Sequence, residues 1–410
     1  MRINRKKIEI DQAVILCGGL GTRLGQLTKK TPKPLLRFLK RPFLNYILKN
    51  LSRYGIKEIL LLCYYKKKQF IKKYHNKKIY NLKIKCVIEK KPLGTFGSLK
   101  NSSKYLKKYF LLLNGDTFFD INLRDFIFRF DSNSFIGALA VAKKKENRFS
   151  KVLIRKNYIS KFNVKKSFSS FINSGTYIFS KKICNIKSKK FSSLENDILP
   201  KLVEKKKIQA LKYLKSYNNF IDIGIPSDYK KVEKFLIRTF SKPAIFLDRD
   251  GVINEDLHYV HKVKDFIWKN NVKKAIKFLN DRNFYVFVVT NQSGVGRGYY
   301  KEKDVIKLHK WINQELRYQG SQIDDFFYAT YHSESKFQFS NQEKKLRKPN
   351  IGMIKMARKK WLTINKKSLV IGDQITDIKM AKKACLESIL IKKDDDLFDV
   401  VKQYYNESFL

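Results

Sequence analysis

Two carboxylates lie two residues apart in the segment FLDRDGVIN at positions 246–254. The apolar run at 244–247 before them predicts a buried strand that ends in a turn. Because side chains two residues apart in a strand point to one face, Asp248 and Asp250 are expected to face the same phosphate and the same Mg²⁺. The first carboxylate would attack phosphorus and the second would transfer the proton of the leaving group. An isolated Asp-x-Asp is a weak signal, since surface turns are rich in Asp and Gly.

Further groups that suit phosphoryl transfer follow in the second half of the chain. One apolar run that predicts a strand ends at the hydroxyl of Thr290, and another ends close to the carboxylate of Asp373. Lys348 lies between them in an Arg-Lys-Pro motif. These residues are Thr290, Asn291, Lys348, Asp373 and Asp377. Nucleophile, hydroxyl, lysine and metal-binding acid in this order resemble the haloacid dehalogenase superfamily of phosphatases over about residues 243–395.

The resemblance implies a role for each of these residues. Asp248 would form an aspartyl-phosphate, and Asp250 would be the general acid and base. The phosphoryl oxygens would be bound by Thr290, Asn291 and Lys348. Mg²⁺ would be held by Asp248, the carbonyl of Asp250 and Asp373, with Asp377 outside the ligand set.

Longer phrases are similar to a narrower group. LDRDGVIN, HYVHKVKDF, VVTNQSGVGRG and RKPNIGM resemble D-glycero-D-manno-heptose 1,7-bisphosphate phosphatases, and histidinol-phosphate phosphatases are the alternative. Both groups carry a zinc loop of three Cys and one His before the Arg-Lys-Pro motif, whereas residues 328–346 here contain His332 and no cysteine. One imidazole cannot form a closed tetrahedral site, so we expect no zinc. Arg347 is predicted to contact the sugar or its second phosphate, because a guanidinium binds phosphate with two donors.

A glycine-rich loop in the first half offers a second phosphate site. An apolar run at 13–17 predicts a buried strand that leads into this loop, whose backbone amides can approach phosphate oxygens closely. The loop contains Gly18, Gly19, Gly21, Thr22 and Arg23. Lys33 follows between two prolines, which exclude it from a helix interior and suit a lysine held at a site.

Two acids of the first half are candidates for binding Mg²⁺ on a nucleoside triphosphate. Asp116 ends an apolar run in LLLNGD, and Asp222 lies beside a glycine in FIDIG. Each acid considered alone is equally compatible with a helix cap or a turn.

The motifs GGLGTRL, PKPLL, PLGT, LNGD, NSGTY and FIDIGIPSDY together resemble sugar-1-phosphate nucleotidyltransferases over about residues 11–235. The resemblance implies that the glycine loop with Arg23 binds the triphosphate, that Lys33 contacts the reacting phosphates, and that Asp116 and Asp222 bind Mg²⁺. Gly94 and Thr95 would line the nucleotide and sugar pocket. The sugar would lie near Glu89, Asn173 and Gly175, with Glu195 as a further candidate. The phrasing is similar to heptose 1-phosphate and mannose-1-phosphate guanylyltransferases, which implies GTP as the nucleotide.

The elements that must position these residues follow a single pattern in both halves. Apolar β-rich runs alternate with amphipathic segments such as 43–54, 229–238 and 272–282, which predicts α/β domains with parallel sheets flanked by helices. A chain of 410 residues accommodates two such domains. We expect a Rossmann-like nucleotidyltransferase domain at 1–240 and a Rossmannoid haloacid dehalogenase-like domain without a large cap at 241–410.

The amino-acid composition indicates which binding partners and which cellular compartment to expect. The net charge of +52 would suit nucleic acid, but the lysines are dispersed through both halves, so we interpret the charge as a solvated surface and expect no specific nucleic-acid binding. The five cysteines are scattered, which favours reduced thiols and a cytoplasmic location. We find no run of signal-peptide or membrane-span length, so we expect neither secretion nor membrane insertion.

The favoured hypothesis is a bifunctional Mg²⁺-dependent enzyme acting on small sugar phosphates and a nucleoside triphosphate. Its phosphatase would remove one phosphate from a sugar bisphosphate, and its transferase would join the remaining sugar 1-phosphate to a nucleotide. The alternative is a nucleic-acid-associated phosphatase whose first half only binds a ligand. Asp116 and Asp222 argue against that alternative, since a binding module would not need two metal ligands.

Overall fold

The chain forms two compact α/β units in a computed structural model, which describes residues 8–143, 150–164, 171–214 and 219–407. The units comprise residues 1–237 and 238–410. Within the described residues, no helix combines the length and the apolar character that crossing a bilayer requires.

The first unit is built on fourteen strands within its described residues. They are β1 Gln12–Leu16, β2 Arg37–Phe38, β3 Arg41–Pro42, β4 Glu58–Cys63, β5 Lys77–Ile79, β6 Leu82–Ile88, β7 Tyr109–Asn114, β8 Thr117–Phe119, β9 Gly137–Lys143, β10 Val152–Arg155, β11 Tyr158–Phe162, β12 Phe171–Ser180, β13 Ile208–Lys212 and β14 Phe220–Asp222.

Eight α-helices begin in this unit's described part. They are α1 Gln26–Lys30, α2 Phe43–Arg53, α3 Lys67–Tyr74, α4 Gly94–Asn101, α5 Leu123–Arg129, α6 Leu199–Glu204, α7 Pro226–Tyr229 and α8 Val232–Phe240. The predicted helix at 43–54 is confirmed as α2. The single helix predicted at 229–238 is wrong at its start, because α7 ends at Tyr229 and α8 begins three residues later.

Ten strands of the first unit form one mixed sheet in the order β10-β11-β13-β9-β12-β7-β1-β4-β6-β5. Strands β7, β1, β4 and β6 are mutually parallel, so their carboxyl ends meet at one edge of the sheet. The antiparallel partner β12 pairs with β7 and β9, and its register with β9 shifts between Asn173 and Tyr177. Apolar residues of alternate strand positions, among them Val14, Leu60 and Leu112, form the core beneath this edge.

The second unit has a five-stranded, fully parallel sheet in the order β17-β16-β15-β18-β19. Its strands are β15 Lys242–Leu247, β16 Tyr285–Asn291, β17 Asp325–Ala329, β18 Thr363–Gly372 and β19 Glu387–Leu390. Its helices are α9 Val272–Asp281, α10 Glu302–Arg317, α11 Asn341–Lys344, α12 Gly352–Lys360, α13 Ile375–Lys383 and α14 Leu397–Glu407.

Strand β15 shows why both faces of this sheet are covered. Ile245 and Leu247 pack into a cluster with residues of α9, α10 and α14, whereas Ala244 and Phe246 pack with residues of α12 and α13. Because successive side chains point to opposite faces, a fully apolar strand requires a helix layer on each side. The predicted two-domain α/β fold is confirmed, and the predicted helix at 272–282 is confirmed as α9.

Candidate functional site

A cavity of about 520 Å³ lies at the carboxyl ends of the parallel strands of the first unit. Residues that follow β1, β4, β6 and β7 supply much of its wall, as expected at the carboxyl edge of a parallel sheet. The lining includes Cys17, Gly18, Gly19, Lys33, Tyr64, Glu89, Gly94, Thr95, Ser98, Asn114, Asp116, Phe191 and Glu195. The cavity therefore contains most of the residues that the sequence predicted for the first half.

A lysine and an acid of this cavity wall lie near a second acid, Asp222, which is outside the lining. Lys33 lies in a short 3-10 turn after Pro32, and its Nζ is 3.1 Å from Oδ2 of Asp116. A Cβ placed at Gly224 would lie 3.0 Å from Lys33 Nζ and 2.8 Å from Asp222 Oδ1, so Asp222 is close to the same ammonium. The structure therefore brings together three groups separated by nearly 190 residues in the sequence, which suits a cation and a polyphosphate.

Glu89 lines the cavity, but its carboxylate also braces the neighbouring loop. Oε1 accepts a hydrogen bond of 2.7 Å from Ser98 Oγ, and Oε2 accepts one of 3.0 Å from the backbone N–H of Leu93. The bond to Leu93 lies at the start of α4, which carries Gly94 and Thr95, and the bond to Ser98 lies one turn further along the helix. Contact with the sugar stays a prediction for this residue.

Thr95 connects α4 to a π-helical turn at Leu194–Ile198. Its hydroxyl donates to Glu195 Oε2 at 3.2 Å and accepts from the backbone N–H of Leu194 at 2.7 Å. Gly94 has a φ of 74°, and a Cβ there would lie 2.4 Å from the carbonyl oxygen of Ser192, so only glycine fits this approach. Burial raises the pKa of the Glu195 carboxyl.

Some predicted residues of the first half lie away from the cavity wall. Thr22 and Arg23 are exposed, because the short turn Thr22–Leu24 buries Leu24 and leaves its polar neighbours in solvent. Gly21 packs against the side chains of Thr28 and Lys33. Contacts of this loop with a triphosphate stay predictions.

Asn173 and Gly175 are outside the cavity lining, and Gly175 packs against Asn114, which is part of it. The Asn173 Oδ1 accepts from the Gly175 N–H at 2.9 Å, and a Cβ at Gly175 would lie 2.5 Å from the side-chain nitrogen of Asn114. Asn173 and Gly175 would therefore act on a ligand by positioning Asn114. The sequence alone did not predict Asn114 as a site residue, although it lies in the LNGD motif. Phe191 was also missed, since nothing in its sequence context marks an exposed aromatic residue as part of a cavity wall.

In the second unit, a buried lysine joins two carboxylates. Asp248 directly follows β15, and Lys348 Nζ lies 2.5 Å from Asp248 Oδ2 and 2.7 Å from Asp377 Oδ1. Burial alone would lower the pKa of Lys348, but the two carboxylates outweigh burial and raise it. Burial and the negative charge of Asp248 raise the pKa of Asp377. Lys348 is therefore a fixed positive charge beside the predicted nucleophile.

Three acids of this site could hold a metal ion. One carboxylate oxygen from each of Asp248, Asp373 and Asp377 lies within 4.8 Å of the others. Asp373 Oδ1 is buried and has no hydrogen-bond partner among the described residues, and burial raises the pKa of this carboxyl. A buried carboxylate oxygen without a donor fits a cation. Asp377 lies in this cluster, so it is closer to the candidate metal position than its predicted place outside the ligand set implies.

Two glycines make room for these acids. A Cβ at Gly251, where φ is 77°, would lie 2.2 Å from Asp373 Oδ2. A Cβ at Gly372 would lie 2.2 Å from Asp377 Cγ. Both distances are shorter than any real carbon contact, so each acid occupies space that a side chain would fill.

Asp250 is oriented by a polar network. Arg249, which is fully buried, donates to both of its carboxylate oxygens at 2.8 and 2.9 Å, and Asn254 and Gln292 donate at 2.9 and 3.0 Å. Gln292 also donates to the hydroxyl of Thr290 at 3.0 Å, which links the two motifs. The sequence alone did not predict roles for Arg249, Asn254 and Gln292, although the arginine lies between the two predicted acids.

Asn291 and Arg347 hold the backbone around the site lysine. Asn291 Oδ1 accepts from the Lys348 N–H at 3.0 Å, and Arg347 donates to the carbonyl oxygen of Tyr331 at 3.1 Å. His332, which we expected not to bind zinc, lies with Nε2 at 3.0 Å from Arg297 Nη2. The absence of zinc stays a prediction.

Comparisons with known proteins give both halves separate relatives. The nucleotidyl transferase family matches residues 12–239, and the polynucleotide kinase 3 phosphatase family matches residues 246–394. The chain is 38% identical to D-glycero-alpha-D-manno-heptose 1-phosphate guanylyltransferase of Campylobacter jejuni, over 53% of this chain and 96% of the relative.

The second half is 42% identical to D-glycero-beta-D-manno-heptose-1,7-bisphosphate 7-phosphatase of Rhodopseudomonas palustris, over 40% of this chain and 89% of the relative. It is 35% identical to D-glycero-alpha-D-manno-heptose-1,7-bisphosphate 7-phosphatase of C. jejuni, over 38% of this chain and 87% of the relative. The chain belongs to the nucleotidyl transferase family and joins that domain to a phosphatase domain of the same family as these 7-phosphatases.

Proposed function

We propose that the chain removes the 7-phosphate of D-glycero-D-manno-heptose 1,7-bisphosphate and then transfers GMP from GTP to the resulting heptose 1-phosphate, with release of pyrophosphate. The relatives of the two halves support this proposal, since the substance that the phosphatase relatives produce is the one that the transferase relatives use. The single structural observation that carries the phosphatase part is the buried contact of Lys348 with Asp248 and Asp377.

In the phosphatase, Asp248 attacks the phosphorus of the 7-phosphate and the bond to the sugar oxygen breaks. Asp250 donates a proton to that oxygen and later takes one from the water that hydrolyses the aspartyl-phosphate. Lys348 and the hydroxyl of Thr290 bind the oxygens of the transferring group. The donors from Arg249, Asn254 and Gln292 keep Asp250 in one orientation, which reduces the reorganisation needed during proton transfer.

Mg²⁺ would be held in this site by Asp248, Asp373 and the carbonyl of Asp250. Bound there, it would neutralise charge on the phosphoryl group and on the attacking carboxylate. The orphaned Oδ1 of Asp373 supports this placement.

In the transferase, an oxygen of the sugar 1-phosphate attacks the α-phosphorus of GTP and pyrophosphate leaves. Lys33 neutralises charge on the reacting phosphates, and Asp116 and Asp222 would hold Mg²⁺. Gly18, Gly19, Gly94 and Thr95 would bind the nucleotide and the sugar. We place both reactions in the cytoplasm, where the free thiols of the chain stay reduced.

The names of the relatives also favour one anomer. The transferase relatives are named for the α 1-phosphate, and the phosphatase relatives include α and β enzymes. Two reactions in series require one configuration at carbon 1, so we propose the α bisphosphate as the substrate.

The test is a product assay by mass spectrometry on the full chain with heptose 1,7-bisphosphate, a panel of nucleoside triphosphates and Mg²⁺. We expect phosphate, pyrophosphate and GDP-heptose. Histidinol phosphate, fructose 1,6-bisphosphate, mannose 1-phosphate and a DNA 3′-phosphate serve as competitors. Faster cleavage of histidinol phosphate or of the DNA end would refute the heptose assignment.

A further inference from the structure

The side-chain amide of Gln292 links two of the proposed phosphatase residues. Gln292 directly follows β16 and is 2% exposed. Its Nε2 donates to Asp250 Oδ2 and to the hydroxyl oxygen of Thr290, both at 3.0 Å, and its Oε1 accepts from the hydroxyl of Tyr300 at 3.0 Å. An amide nitrogen has two hydrogens to donate, so both polar atoms of this side chain are fully engaged.

An amide of this shape fits the same space in two orientations that differ by a half turn. In the observed orientation the NH2 group faces Asp250, and in the other the carbonyl oxygen would face it. While Asp250 is ionised, its charge favours the NH2 group. When Asp250 carries the proton for the leaving group, it can also donate to a carbonyl oxygen, so Asp250 alone does not fix the orientation.

The ring of Tyr300 is held in a fixed position beside this amide. A Cβ at Gly294 would lie 2.2 Å from Cε1 of the ring, so the ring occupies space that glycine leaves open. The imidazole of His261 stacks on the ring, with centroids 4.4 Å apart and an angle of 9° between the planes. Tyr300 is 8% exposed. Packing therefore directs its hydroxyl at Gln292.

The hydroxyl of Tyr300 acts as a hydrogen-bond donor toward the amide. Burial raises the pKa of Tyr300 to about 12, although the charge of Arg249 lowers it, so the hydroxyl keeps its proton at neutral pH. The backbone N–H of Gly294 is hydrogen-bonded to the hydroxyl oxygen, and the hydroxyl proton is donated to Gln292 Oε1. A donor at this end of the amide requires the carbonyl oxygen there, whether or not Asp250 is protonated.

We infer that Tyr300 is a positioning residue for phosphate release, whose hydroxyl holds the Gln292 amide with Nε2 toward Asp250 and Thr290. The inference rests on the proposed phosphatase function and adds to it a residue that acts through Gln292.

The orientation of the amide determines where the proton of Asp250 goes. With Nε2 facing it, Asp250 receives a hydrogen bond, and its proton is free to move to the sugar oxygen as the bond between that oxygen and phosphorus breaks. With Oε1 facing it, Asp250 would donate the proton to the amide and hold it away from the sugar. In the observed orientation Thr290 Oγ1 also accepts from the amide, which leaves the Thr290 hydrogen available to a phosphoryl oxygen.

The experiment measures kcat/KM of the full chain for a sugar bisphosphate and for p-nitrophenyl phosphate. A sugar oxygen needs a proton as it leaves, whereas p-nitrophenolate leaves without one, so only the sugar substrate requires Asp250 as an acid in the step that kcat/KM reports. Any effect through Thr290 acts on both substrates and cancels in their ratio. For Tyr300→Phe we expect the ratio of kcat/KM, sugar to aryl substrate, to fall roughly tenfold.

A double-mutant cycle tests whether Tyr300 acts through Gln292. Gln292→Met keeps the length of the side chain and removes the amide, so the ratio should fall in this variant as well. Adding Tyr300→Phe to Gln292→Met should then change the ratio by less than about twofold, because the amide that the hydroxyl orients is gone. A further tenfold fall in the double variant would contradict the inference.

Tyr405→Phe is the matched control, because Tyr405 is 1% exposed and its hydroxyl donates to the Lys367 carbonyl instead. Its ratio should equal that of the parent chain. An unchanged ratio in Tyr300→Phe would overturn the positioning role, and so would an equal loss on both substrates, which is the result expected of a residue that only stabilises the loop.

Failure of the proposed function is a separate outcome. The ratio is defined for any sugar phosphate that the parent chain cleaves, fructose 1,6-bisphosphate included, so failure of the heptose assignment leaves the test intact. A parent chain that releases phosphate from none of these substrates would refute the phosphatase function and the positioning role with it.

Discussion

Each site lies at the carboxyl edge of the parallel strands of its own sheet, but the two sites differ in how deeply their charged side chains are buried. In the second unit, the side chains of Lys348 and Asp377 are 2% and 0% exposed, and they neutralise each other within the protein. In the first unit, the side chains of Lys33 and Asp116 are 11% and 32% exposed around an open cavity. The phosphatase site is therefore assembled before substrate arrives, whereas the transferase site leaves its charges available to a large, charged ligand.

The largest effect is expected from a variant that removes the predicted nucleophile of the second unit. Asp248→Asn keeps the side-chain shape, but an amide cannot form the aspartyl-phosphate, so phosphate release should fall by at least about a thousandfold. Nucleotidyl transfer should stay within about twofold, measured on the same preparation. Loss of both activities in a folded variant would mean that the two sites are not independent.

The reciprocal change is Asp116→Ala in the first unit. Asp116 is a proposed Mg²⁺ ligand and contacts Lys33, so its loss should lower nucleotidyl transfer by about 100- to 1,000-fold. Phosphate release should be unaffected, and Asp131→Ala in the same unit is a control outside the cavity. A normal transfer rate in the Asp116 variant would show that Asp116 has no role in the reaction.

The difference in burial predicts a difference in stability between two lysine variants. Lys348→Met leaves two carboxylates without their buried cation, so the free energy of unfolding of the second unit should fall by about 3–5 kcal/mol. Lys33→Met breaks a partly exposed pair, so the first unit should lose at most about 1 kcal/mol while nucleotidyl transfer decreases strongly. Denaturant unfolding monitored for each unit measures both. Equal losses would contradict the comparison.

The smallest expected effect is a pH dependence at Glu195. Burial raises the pKa of this carboxyl in the folded state, so the folded protein binds its proton more tightly than the unfolded chain does. Stability should therefore decrease as the pH rises from the ordinary Glu value of 4.5 through the raised value. Glu195→Gln should remove this decrease, with the difference from the parent chain growing as the pH rises. A constant difference between pH 4 and 8 would show that Glu195 does not contribute.

The sequence predicted the groups that end parallel strands better than it predicted the groups that support them. Asp248, Thr290, Asp116 and the acids near them were found because an apolar run followed by a polar residue marks the carboxyl edge of a sheet. The partners of Asp250 were missed, since Asn254 and Gln292 become its neighbours only through folding of separate loops. The motif also did not predict that Arg23 is exposed in the short turn Thr22–Leu24, and its contact with a triphosphate stays a prediction.

The helix between the two halves shows a second limit. A continuous amphipathic pattern at 229–238 predicts one helix, yet α7 and α8 are separate. Periodicity reports which face is apolar, but it does not report where the hydrogen-bond ladder is interrupted. Boundaries are therefore the part of the fold that the pattern determines least.

Gly251 and Gly372 offer a criterion for interpreting new genomes. Acidic residues are frequent in surface turns, so a chain that retains Asp248, Asp373 and Asp377 can still be a decayed enzyme. The two glycines are more informative, because any side chain at either position would occupy the space of a neighbouring acid. In chains that keep the acids but have lost either glycine, we therefore expect a displaced acid and a reduced phosphatase activity.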